Sequence, residues 1–227
     1  MLKRLLSRLR PLQTLSSLDA YARWAATYPP RAHNALMEAE ESAMVSLLPE
    51  LAGQVVLDLA CGTGRYGLLA QERGAKAVIG LDNSQAMLRA NPLEVRALST
   101  SEALPLAGSS VDVVLCGLAL GHLPRLEPTM REISRVLKSG GAALISDFHP
   151  FIFLSGQRRT FTAPDGQTYA VEHYPHLYAD YHRAVREAGL HIERVVEPRL
   201  GQDATVRFAD DDTRAGTPVI IVYHLTK

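Results

Sequence analysis

The sequence predicts an α/β domain: a doubly wound, mostly parallel seven-stranded sheet with helices on both faces. Three observations carry this. Short apolar runs of strand length alternate with helical segments between residues 55 and 148. A glycine-rich turn follows the first of those runs. Two more apolar runs, near 190–197 and 218–225, bring the strand count to seven. A chain of 227 residues suits one domain of this kind.

Taken in order, residues 1–18 (MLKRLLSRLRPLQTLSSL) place leucines at helical spacing among Lys3, Arg4, Arg8 and Arg10. Arg8 and Arg10 interrupt any secretory apolar core. Residues 1–31 carry six basic side chains against Asp19 alone, leaving 18 basic against 23 acidic in the remainder. The expected role of this arm is to dock on its own domain or a partner subunit, with peripheral contact to anionic lipid as the alternative. Residues 34–48 read as a helix stopped by Pro49, so 1–49 forms an N-terminal helical cap on a 50–227 body. Strands follow at 55–60, 77–82, 95–98, 111–117 and 142–148. Helices are expected at about 65–73, 84–90 and 127–137, with a turn at Gly140–Gly141. After the fifth strand, residues 158–174 alternate around Pro164-Asp165-Gly166, a hairpin signal inside a lid insertion at about 150–175. A last helix spans about 176–188.

Composition excludes several functions. Basic and acidic residues balance at 24 each, which disfavours nucleic-acid binding through overall charge. Cys61 and Cys116 are too few for a disulfide scaffold or a thiolate metal site, and fit a reducing cytoplasm. No apolar run is long enough to span a bilayer. No helical pair of histidines with carboxylate partners suggests a metal.

The motif richest in chemistry is Asp58-Leu-Ala-Cys-Gly62-Thr-Gly64-Arg-Tyr-Gly67. Gly62, Gly64 and Gly67 satisfy G-x-G-x-x-G, and Asp82 stands 20 residues beyond Gly62 at the end of the next strand. That spacing is the dinucleotide fingerprint, with the acid on a ribose diol. Asp58 argues otherwise. A carboxylate at the end of the first strand repels a diphosphate and favours a ligand bearing ammonium or sulfonium. S-adenosylmethionine has both, a ribose for Asp82, and no phosphate. An NAD(P)-dependent oxidoreductase is the rival reading, and a non-catalytic, regulatory S-adenosylmethionine-binding protein another.

VLDLACGTG at 56–64, GLD at 80–82, LPL at 104–106, VDVVLC at 111–116 and REISRVLKSGGAALI at 131–145 together resemble the class I S-adenosylmethionine-dependent methyltransferases. More narrowly, they resemble the small-molecule branch that includes the ubiquinone/menaquinone and malonyl-carrier enzymes. The resemblance implies a Rossmann-like fold and S-adenosyl-L-methionine as cofactor, released as S-adenosyl-L-homocysteine. It implies that Asp58, Ala60, Gly62 and Gly64 line the methionine part, that Asp82 takes the ribose, and that Asn83 and Met87 flank the adenine. Thr100 stands where relatives carry an acid before the Leu-Pro pair, so Thr100, Ser101 and Glu102 are the adenine-edge candidates here. Cys116 closes the fourth strand beside the cofactor, as a small buried residue rather than a nucleophile.

For the acceptor, expected to be a small molecule, the candidate bases are His149, at the end of the fifth strand, and His122, after the fourth. Tyr21, Trp24 and Tyr28 are candidates to close over the pocket. Arg158 and Arg159 in the insertion are candidates to pair with a substrate carboxylate, and His173 to line the lid. The acceptor atom stays open, as does the choice between monomer and homodimer.

Overall fold

The structure is a computed structural model and describes residues 12–199 and 216–227. The central sheet is built from β2 (Val55–Leu59), β3 (Ala77–Asp82), β4 (Arg96–Leu98), β5 (Val111–Gly117), β6 (Leu137–Phe148), β9 (His191–Val196) and β10 (Ile220–Thr226). Its order is β4-β3-β2-β5-β6-β10-β9, with β10 alone antiparallel to its neighbours. The chain steps outward from β2 through β3 to β4, then returns to start β5 on the other side of β2. That reversal opens a crevice at the carboxyl ends of β2 and β5, where sheets of this class hold ligands.

The strands are apolar on both faces because both are covered. Leu57, Leu59, Val114, Cys116, Ala143 and Ile145 face one core, completed by α5 (Glu127–Val136) and α7 (Tyr178–Glu187). Val56, Val113, Leu115 and Leu144 face the other, completed by α2 (Ala35–Leu47) and α3 (Arg65–Glu72). Helix starts follow the side chains: Asn34 caps α2 through Met37 N–H, and Ser84 caps α4 (Gln85–Ala90) through Met87 N–H.

A second sheet joins the N-terminal segment to the insertion. β7 (Thr160–Thr162) and β8 (Thr168–Val171) form an antiparallel hairpin, and β1 (Thr14–Leu15) adds to β8 in parallel. The helical reading of 1–18 fails at Thr14–Leu15, which form a strand, and holds for Ser17 and Leu18, which begin α1 (Ser17–Trp24); residues 1–11 lie outside the described part. Ala170 N–H donates to Gln13 C=O and Glu172 N–H to Leu15 C=O, so an open hairpin edge overrides leucine spacing. α1 (Ser17–Trp24) then packs Ala20 and Trp24 onto Phe161 and Tyr169. Residues 14–24 and the insertion thus share one layer, while α2 packs on the central sheet.

Two boundaries also differ. β6 begins at Leu137, because Val111 already pairs with Leu137, and the register shift before Val113 absorbs residues 138–141. A short helix α6 (Pro150–Leu154) follows β6 where none is expected. The acidic loop containing Asp210–Asp212 lies outside the described residues.

Candidate active site

The turn after β2 is held by two buried carboxylates. Asp58 Oδ2 accepts from Gly67 N–H at 2.7 Å, capping the first turn of α3. Asp82 Oδ2 accepts from Gly62 N–H at 2.8 Å, and its Oδ1 from Ser84 N–H at 2.7 Å. Burial pushes the Asp58 carboxyl up to about 7, against the lowering effect of the Gly67 hydrogen bond and the Arg65 charge. Burial likewise raises Asp82, opposed by its backbone donors. Two turn positions need glycine. A Cβ on Gly64, at φ +96°, would lie 2.8 Å from Asn91 Oδ1. One on Gly67 would lie 2.5 Å from Leu93 Cδ1 and 3.0 Å from Asp58 Oδ2. Asn91 secures the turn by donating to Gly62 C=O at 2.9 Å.

The turn opens onto a crevice at the carboxyl ends of the strands, where sheets of this class hold ligands. Asp58, Ala60, Gly62, Asp82, Asn83, Met87, Ser101 and Cys116 all line it. Gly64 supports the turn from behind, as the residue preceding α3. Thr100 and Glu102 do not line it; both are exposed, and Ser99 faces the space instead.

Several lining residues were missed from sequence. Thr63 Oγ1 is buried without a hydrogen-bond partner. Arg65 sits 2.6 Å from Glu40 Oε2 as an ion pair, and the other Glu40 oxygen accepts from Tyr66 O–H at 2.6 Å and from Ser146 O–H. Glu40 is fully buried in α2, where a helical pattern alone reads it as surface.

Tyr21, Tyr28, His122 and Arg159 also line the crevice. His122 Nδ1 lies 2.8 Å from Glu172 C=O, which only accepts, so Nδ1 carries the proton. The Nε2 lone pair then accepts from Arg159 Nη1–H at 3.0 Å, with the Tyr21 hydroxyl oxygen 3.1 Å from the same nitrogen. Burial, then the Arg159 charge, hold His122 down to about 3, so it is neutral. Burial drives the Tyr21 hydroxyl far above its ordinary range. Trp24 stands behind this wall, 4.9 Å from Tyr28 and from Phe161 between ring centroids.

Three expected residues lie elsewhere. His149 is fully buried but outside the crevice. Its Nδ1 accepts from Phe151 N–H at 3.3 Å, and its Nε2 meets Tyr178 Oη at 2.7 Å and Glu197 Oε1 at 3.0 Å. It lies just past the end of β6, where its side chain caps α6 and is held by Tyr178 of α7. Arg158 is exposed, over the Phe153 ring at 5.7 Å. His173 packs behind His122, 6.0 Å between ring centroids, and its Nδ1 is buried without a partner. Among the described residues no cluster of metal-ligating side chains exists, and no helix is long and apolar enough to cross a membrane.

Residues 57–145 match the family model described as a methyltransferase domain. An uncharacterized protein of Haemophilus influenzae is 27% identical over 194 residues, covering 71% of this chain and 76% of that protein. The biotin biosynthesis bifunctional protein BioHC of Cellvibrio japonicus is 31% identical over 190 residues, 79% of this chain and 36% of that protein. The 2-phytyl-1,4-naphtoquinone methyltransferase of Synechococcus elongatus is 36% identical over 109 residues, 43% of this chain and 47% of that protein. The chain therefore spans less than half the length of these last two relatives. In fold it is similar to an S-adenosylmethionine-dependent methyltransferase from Mesorhizobium loti, with TM-score 0.69 at 22% identity over 83% of this chain and 98% of that one.

Proposed function

We propose that the chain is a class I S-adenosylmethionine-dependent methyltransferase that methylates a small organic acceptor seated beneath the aromatic cap. The observation that carries this is a single crevice lined both by the Asp58–Gly62 turn with Asp82 and by Tyr21, Tyr28, His122 and Arg159. S-adenosylmethionine, when bound, supplies a methyl group on a sulfonium, open to in-line displacement by an acceptor lone pair. Asp82 would take the ribose hydroxyls and Met87 would wall the adenine. Asp58 would face the cationic methionine part, and the unpartnered Thr63 hydroxyl fits a polar ligand there.

The chain's own residues position the acceptor and keep water out. Among the described residues, His122 is not a free base, because both of its ring nitrogens are engaged. A nicotinamide dinucleotide fits less well. The Gly67 N–H, a donor that a diphosphate would use at the start of α3, is already taken by a carboxylate. Arg65, the nearby cation, is neutralised by Glu40. Incubation with methyl-labelled S-adenosylmethionine and a broad panel of small acceptors tests the reading. Acceptor-dependent release of S-adenosylhomocysteine is expected. Persistent absence of release, despite cofactor binding, would contradict catalysis and favour a binding-only role.

A further inference from the structure

We infer that the acceptor end of the crevice is built for a small monocarboxylate and that Arg159 is the residue that selects it. The inference rests on the cofactor reading above.

Arg159 enters the site just before β7 and is half-buried. Its guanidinium lies 4.7 Å from the Phe148 ring centroid and 5.4 Å from that of Tyr21. Nη1 donates to Leu118 C=O at 3.1 Å and to His122 Nε2 at 3.0 Å. A guanidinium has five N–H donors, so the Nε and Nη2 protons are not used by these bonds. Among the described residues no carboxylate comes within 4.0 Å of its nitrogens. The other arginine in this crevice, Arg65, has its acid. Asp147 lies in the region but is engaged by Tyr181 O–H at 2.6 Å and Phe148 N–H at 2.8 Å. The polar side chains that touch Arg159 are uncharged: His122 is neutral and Tyr21 un-ionised.

A partly desolvated cation without a counter-ion is costly, and a ligand anion removes that cost. Aromatic contacts to the guanidinium leave its planar edge as the recognition surface, which matches a carboxylate bidentately. The charge count selects further. Asp58 and Asp82 line the same crevice, so a dianionic phosphate would leave negative charge uncompensated, whereas one carboxylate balances one guanidinium.

The test is calorimetry on protein saturated with S-adenosylhomocysteine. The probes are benzoate, cinnamate and octanoate, each against its primary amide. At least one carboxylate should bind about tenfold or more tighter than its amide. Arg159→Gln should remove that preference and Arg159→Lys should retain part of it. Arg158→Gln, at the exposed neighbour, should change nothing. The affinity for S-adenosylhomocysteine should stay within about twofold in all three variants, which also reports that they fold. Amides binding as well as acids, no binding by any acid, or an acid preference that survives Arg159→Gln each overturns the inference. Failure of the wild-type protein to bind S-adenosylhomocysteine would instead strike the cofactor reading beneath it.

Discussion

Replacing Asp82 by Ala removes both carboxylate oxygens from the crevice. One holds Gly62 N–H at 2.8 Å and the other Ser84 N–H at 2.7 Å. On the proposed binding mode the same oxygens also accept from the ribose hydroxyls. Hydrogen bonds to a charged group are worth ~1.5–3 kcal/mol, so affinity for S-adenosylhomocysteine should fall about 10- to 150-fold. The folded state should also lose roughly 1–3 kcal/mol, because two backbone donors lose their partner. That loss belongs near the lower bound, since the carboxylate is at the crevice surface and water can replace it. Calorimetry reads the first effect and urea unfolding the second. Asp82→Asn, which keeps one acceptor oxygen, should be intermediate in both. An unchanged dissociation constant beside reduced stability would refute the ribose assignment and leave Asp82 as a loop anchor.

Other substitutions separate the site from its supports. Gly67→Ala pushes a methyl group against Leu93 and Asp58, and should cost about 1–3 kcal/mol in urea unfolding. His149→Ala should lower stability by roughly 1–3 kcal/mol while S-adenosylhomocysteine affinity holds, since His149 braces Phe151, Tyr178 and Glu197 outside the crevice. A matching loss of affinity would return it to the site. Asp58 makes a pH prediction. Its folded carboxyl is raised to about 7, so between about pH 4 and 7 the folded state binds the extra proton and ligand-free stability falls as pH rises. Asp58→Asn should flatten that slope, and unfolding curves across pH check it.

Much of this was legible because the relevant signals are local. The buried runs at 55–59, 77–82 and 111–117 need no distant partner to be read as strands, and the spacing from Gly62 to Asp82 follows from one βαβ step. What failed depends on tertiary pairing. Thr14 and Leu15 become a strand only because β8 offers them an edge. His149 misses the crevice because it caps a short helix that the sequence did not reveal and meets Tyr178 and Glu197. Glu40 is buried because Arg65, Tyr66 and Ser146 converge on it from other elements. Of the two adjacent arginines, only the structure separates Arg159 in the crevice from Arg158 outside it.

Calorimetric titration of the wild-type protein with S-adenosylhomocysteine and, separately, with NADH bears most directly on what the crevice accepts. The account predicts saturable binding of the thioether ligand and none of the dinucleotide, because the Asp58 carboxylate occupies the donor a diphosphate requires. Tight NADH binding with S-adenosylhomocysteine excluded would contradict it.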